Sequence, residues 1–229
     1  MRGVVTLNTF QGVIEQAMAD GRKPDAIVAT GDLVQDETQA GYKQFKNVLA
    51  PLGIPVLCIP GNHDAPDIMA NVLNTTPFQL NGSYQRHDWS LIMLSSFARG
   101  EEGGYISASE LERLNATLHK HRTLHTLICL HHQPVPMGSR WLDKVALHNP
   151  QDLFNIVDAA PQVRALLWGH VHQVSDQLRN GIRLMSSPST CSQFRPYSDD
   201  FALDDHPPGF RWLELLPDGT INSEVKWLV

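Results

Sequence analysis

No apolar run in these 229 residues approaches the roughly 20 needed to cross a bilayer. Residues 1–8, Met-Arg-Gly-Val-Val-Thr-Leu-Asn, lack the hydrophobic core and cleavage site of a secretory signal. The expectation is a cytoplasmic protein with no membrane partner. Cysteine is scarce: Cys58, Cys129 and Cys191 are an odd count with no Cys-x-x-Cys pair, which argues against a disulfide framework and for free thiols in a reducing compartment. Positive charge is in deficit, 18 Lys plus Arg against 24 Asp plus Glu for a net charge of -6, so no general basic surface exists to hold a nucleic-acid backbone. Internal repeats, low-complexity tracts and Pro/Gly-rich linkers are also absent, and residues 1–229 read as one domain. The composition itself, 42% hydrophobic and 18% charged, is that of a chain that folds.

Helical spacing of Phe10, Val13, Ile14, Ala17 and Met18 predicts a first helix from Asn8 or Thr9 to Ala19, with one of the first two residues as N-cap. A strand over 25–30, a helix over 38–50 and a strand over 54–59 come next, an order that favours parallel pairing through a crossover. Residues 83–95 predict two strands turning near His87 and Asp88. Ser107 and Glu110 form a capping-box pattern ahead of a helix carrying Leu111, Leu114 and Leu118. Beyond it come strands over 125–130 and 163–168, a helix over 152–160, a hairpin turning at Asn180-Gly181, and a C-terminal hairpin around 217–220.

Histidine is the residue in surplus, with 11, and a pattern emerges when the strands are aligned at their carboxyl ends. One runs into Gly31-Asp32, the next into Gly61-Asn62-His63-Asp64, a third into His131-His132 and a fourth into Gly169-His170-Val171-His172. Ligands of open α/β sheets bind outside the carboxyl ends of the strands, so four such ends can converge on one site. One carboxylate, one amide oxygen and several imidazoles, without cysteine, suit Mn, Fe, Co or Zn rather than Ca or Mg. His170 and His172 are two apart and would face the same side of extended backbone. Asp36 is expected to brace the loop of Asp32 through Asx-type bonds, His132 to point away from the site, and Gln193 and Arg195 are candidates for substrate contact.

Together, Gly31-Asp32, Gly61-Asn62-His63-Asp64, His131-His132 and Gly169-His170-Val171-His172 resemble the successive signature blocks of the calcineurin-like metallophosphoesterases. Softer motifs, Asn8-Thr9, residues 29–36, Trp141-Leu142-Asp143 and residues 188–194, make the chain similar to the bacterial class III 3′,5′-cyclic AMP phosphodiesterases over nearly its whole length. The resemblance implies an α/β fold, a metallophosphoesterase-type β-sandwich flanked by helices. It implies Asp32, Asn62, His131, His170 and His172 as ligands of two divalent metals, Mn or Fe, with Zn and Co as alternatives. It also implies His63 as the group that stabilises the pentacoordinate phosphorus or protonates the leaving oxygen, with Asp64 orienting it; Asn62, His63 and His172 would face substrate. The reaction implied is attack of a metal-held hydroxide on 3′,5′-cyclic AMP, releasing 5′-AMP.

The family's first signature, Asp-x-His at the end of a first strand, has no counterpart in residues 1–7, so the reading is of a fold lacking that strand. By the same resemblance, Asp32, Asn62, His131 and His170 complete one metal site, while Asp32 and His172 are half of the other. Three readings stay open on this ground: a cyclic-nucleotide phosphodiesterase, a general phosphodiester or phosphomonoester hydrolase, and a nucleotide- or phosphate-binding protein with impaired turnover. The oligomeric state is left undetermined.

Overall fold

The computed structural model describes residues 3–229. The helices are α1 (Thr6–Ala19), α2 (Gln39–Leu49), α3 (Pro66–Leu73), α4 (Ala108–Lys120), α5 (Arg140–Asp143) and α6 (Pro150–Val157). The strands are β1 (Ile27–Ala29), β2 (Val56–Cys58), β3 (Phe78–Leu80), β4 (Gly82–Arg86), β5 (Trp89–Met93), β6 (His125–Leu130), β7 (Val163–Trp168), β8 (Asp176–Arg179), β9 (Ile182–Ser186), β10 (Gly209–Leu215) and β11 (Ile221–Trp227). None of the described helices is long and apolar enough to cross a membrane.

Two sheets face each other. One is parallel, in the order β1-β2-β3; the other runs β4-β5-β6-β7-β9-β8, parallel from β5 through β6 and β7 to β9, with antiparallel β4 and β8 at its edges. An antiparallel ribbon, β10-β11, packs Leu213, Leu215 and Ile221 against the layer between them. Alternation along each strand decides which side chain goes where. Leu57, Leu91, Met93, Leu127, Cys129, Ala165 and Leu167 fill the layer between the sheets. Their neighbours in sequence turn outward: Ile92, Ile128, Leu130, Leu166 and Trp168 meet the cluster containing α4 and α6, while Val56 and Cys58 meet α2 and α3. The result is helices, sheet, sheet, helices. Strands buried on both faces read as continuous hydrophobic runs, which is why β6 and β7 fall on the expected residues to the last position.

Caps differ from expectation in two places. Helix α1 starts at Thr6 behind Val5, with no side-chain cap, so neither Asn8 nor Thr9 is its N-cap. Its position is set by packing: Val13 and Ala17 are buried, Phe10 stacks on Phe45 at 5.6 Å, and the Gln16 amide donates to Trp227 O (2.8 Å). At α4 the Ser107 hydroxyl accepts from Glu110 N–H as expected, yet the Glu110 carboxylate does not return to the cap. It accepts from Ser95 N–H and pairs with Arg113, joining α4 to the chain leaving β5. Helices α3 and α5 and strand β3 are additional to the sequence expectation.

Candidate metal centre

The two sheets deliver their carboxyl ends to one place, β1 and β2 from one, β6 and β7 from the other. Asp32 follows β1, Asn62 follows β2, His131 follows β6, and His170 and His172 follow β7. The turns are close-packed. Gly31 has φ +98°, and a Cβ there would strike the His131 ring and the Gly61 backbone. Three donors are themselves in the left-handed region, Asp32 (φ 55°), His170 (φ 60°) and His172 (φ 45°), strain of order 1–3 kcal/mol each that persists where the surroundings over-determine it. The 170–172 segment is therefore a turn rather than the extended backbone expected. Val171 anchors it, fully buried in the core outside the six-stranded sheet.

The donors stand as a set. His131 Nε2 lies 3.2 Å from Asn62 Oδ1 and 3.4 Å from Asp32 Oδ2. His131 Nδ1 donates to Thr30 O (2.7 Å) and His172 Nδ1 to Ser192 O (2.9 Å), which leaves Nε2 as the nitrogen each ring has free for the site. Burial lowers the His131 pKa, but the charge of Asp32 outweighs it and raises it above the ordinary imidazole value. His170 Nε2 is buried and has no hydrogen-bond partner among the described residues. Asp32 Oδ1 accepts from His63 N–H (3.0 Å), tying the β1 and β2 loops together. Burial alone would raise the Asp32 pKa, but the His131 imidazole and the His63 N–H hold it far below the carboxylate range. Burial pushes His170 down to about 3 and His172 to about 4, so both imidazoles are neutral donors at ordinary pH.

Expected residues that do other work are equally clear. Asp64, 3% exposed, does not reach His63: its carboxylate accepts from Leu33 N–H (3.1 Å), Gly61 N–H (2.8 Å) and the Tyr42 hydroxyl (2.9 Å), so its orienting role is corrected to that of a loop brace. Burial and the charge of Asp32 raise its pKa against those bonds. His63 is exposed at the rim, and its Nδ1 meets Gln35 Nε2 at 3.0 Å, a partner no motif announced. His132 is fully buried rather than turned away, packing on His131 and His170 at 4.8 Å. It stands with them as a three-histidine cluster, yet its ring nitrogens are taken by the Ser96 hydroxyl and Glu102 O, so it supports the donors instead of joining them. Asp36 braces its loop as expected, accepting from Thr38 N–H and the Thr38 hydroxyl. Gln193 is consumed inside its own loop by Ser189 and Pro207.

A carboxylate, an amide oxygen and imidazoles, one of them with an orphaned buried nitrogen, fit a borderline divalent cation. The donors open on a cavity of about 1280 Å³ that is also lined by His63, Trp141, Phe194 and Phe201. Its apolar arm lies between β10 and β1, which among the described residues pairs on one side only.

A model of the calcineurin-like phosphoesterase family matches residues 5–174. The chain is 42% identical over 229 residues to the 3′,5′-cyclic adenosine monophosphate phosphodiesterase CpdA of Vibrio vulnificus, and 37% identical over 224 residues to that of Pseudomonas aeruginosa. Each alignment covers 98% of this chain and 82% of the relative. A dimetal phosphatase from Danio rerio superposes with a TM-score of 0.66 at 12% identity, covering 97% of this chain and 89% of that one, a likeness of fold.

Proposed function

The chain belongs to the calcineurin-like phosphoesterase family and is a hydrolase, and from that premise we propose that it opens 3′,5′-cyclic AMP to 5′-AMP in the cytoplasm as one metal-dependent domain. The observation that carries this reading is that Asp32 and Asn62 both meet His131 Nε2 while the His170 ring lies 5.0 Å from the His131 ring with its buried Nε2 unpartnered among the described residues. These four would hold one divalent cation, Mn or Fe foremost, with Zn and Co suited to the same donors; Asp32 and His172 offer two donors to a second. Bound there, such a cation lowers the pKa of a coordinated water and neutralises charge on the phosphate.

The chain's own groups do the rest. Asn62 and His172 orient the phosphate. An amide nitrogen only donates, so the Gln35 contact at His63 Nδ1 places the ring proton on Nε2, where it can pass to the departing 3′ oxygen as the P–O3′ bond breaks and water oxygen joins phosphorus. Proton donation of this kind contributes about 10² to 10⁴ in rate.

Chromatography of 3′,5′-cyclic AMP incubated with the chain and Mn tests the proposal. The expected product is 5′-AMP, abolished by Asp32→Ala. Release of 3′-AMP, or turnover indifferent to Asp32→Ala, would overturn it, and metal binding without turnover would leave a phosphate-binding protein.

A further inference from the structure

Beside the donors stands an aromatic group that the chemistry above does not use. Phe194 stacks on the His172 ring with centroids 4.2 Å apart and planes 10° from parallel. Trp141 meets Phe194 edge-on at 5.1 Å, Phe201 meets Trp141 at 5.2 Å, and Phe194 and Phe201 meet at 5.3 Å. All three rings line the cavity into which Asp32, Asn62 and His172 open. We propose that Trp141, Phe194 and Phe201 form the stacking platform that receives the purine ring of the nucleotide, an inference that rests on the phosphodiesterase reading and names how its substrate is recognised.

The placement fits the ligand. In a cyclic nucleotide the base stands one fused sugar–phosphate bicycle away from phosphorus, and Trp141 and Phe201 stand one ring beyond His172. The platform is also rigidly mounted on the two histidine-bearing loops. Helix α5, which carries Trp141, is held through Leu142 O by the Gln133 amide (2.9 Å) and through the Ser139 hydroxyl by the Gln173 amide (3.2 Å); Gln133 lies two residues after His131 and Gln173 one after His172. Phe194 and Phe201 come from residues 187–208, a long connection between β9 and β10 with no helix or strand of its own. Connections of that length in a folded domain are usually functional. This one is braced by Gln193, by the Phe194–Leu203 bridge and by Arg195 N–H donating to Ala202 O (2.9 Å), and its ordering places two aromatic rings at the cavity.

Recognition by ring faces tolerates either purine, because every base has a π-face, and discriminates chiefly against a ligand without a base. Calorimetric titration of the metal-loaded protein with adenosine 5′-monophosphate and with ribose 5-phosphate therefore tests the platform without depending on turnover. The wild type is expected to prefer the nucleotide by about tenfold or more, in line with the loss of affinity when a stacking aromatic is removed. Trp141→Leu and Phe201→Leu, which keep apolar volume, are expected to lose most of that preference with ribose 5-phosphate affinity unchanged; Trp141→Phe keeps it. Phe201 is 36% exposed, so its variant serves even where Trp141→Leu does not fold. A preference near one in the wild type, or one untouched by both leucine variants, overturns the platform. A preference lost in the variants alongside Asp32-independent hydrolysis keeps the platform and removes the phosphodiesterase reading.

Discussion

At Asp64 a buried carboxylate accepts from two backbone N–H groups and the Tyr42 hydroxyl, which also accepts from Ala65 N–H at 2.8 Å. Removing the carboxylate leaves donors unpaired in a dry place, at about 1–3 kcal/mol each. Asp64→Ala is therefore expected to destabilise the protein by about 3 kcal/mol or more and Tyr42→Phe by about 1 kcal/mol, read as lower urea midpoints. A normal midpoint for Asp64→Ala with lost turnover would return Asp64 to an orienting role beside His63. Residues of this kind mark the limit of what the sequence discloses. Asp32, Asn62, His131, His170 and His172 are legible because each lies within four residues of a strand's carboxyl end. Their supports, Thr30 O, Ser192 O and Gln35, are carbonyls or amides that only the folded chain brings within reach.

Elements obey the same division. Strands β6 and β7 are legible because burial on both faces gives unbroken apolar runs, whereas α3 has eight residues and an uncapped start at Ala65, α5 has four, and β3 has three. Short elements present too few repeats for a period to show, and tertiary packing decides them. Helix α4 ends on a group that reports on acid. His121, at its C-cap, is 4% exposed and holds Ser90 Oγ at 2.8 Å and Gln85 Nε2 at 2.5 Å. Burial, and then the charge of Lys120, lowers its pKa below 6.5. The folded ring thus resists a proton that the unfolded chain accepts, so its contribution to stability is whole above about pH 6.5 and is lost as pH falls from there to the folded pKa. His121→Asn is expected to be less stable than wild type near pH 7.5, with the gap narrowing by about pH 5 in metal-loaded protein. A gap constant across that range would contradict this.

Over the whole molecule, the site exists only because two sheets close face to face: β1 and β2 from one supply Asp32 and Asn62, β6 and β7 from the other supply His131, His170 and His172. Sequence order shows four strand ends followed by candidate donors. That they belong to two sheets sharing the layer of Leu57, Leu127 and Leu167 is a matter of register and packing that pairing alone does not reveal. The C-terminal ribbon then fastens α1 against the same unit, with Gln16 bonded to both Trp227 and Val229. The central claim is that this closure builds a cation site from which hydrolysis runs. Its most direct measurement is titration of Mn into metal-free protein while 3′,5′-cyclic AMP turnover is followed on the same sample, wild type beside His170→Ala. Turnover should rise with bound metal, the chain should take up about one equivalent tightly, and both should be lost in His170→Ala, which removes one of the four donors proposed for that cation. Turnover that ignores bound Mn, or wild-type metal content retained by His170→Ala, would contradict the account.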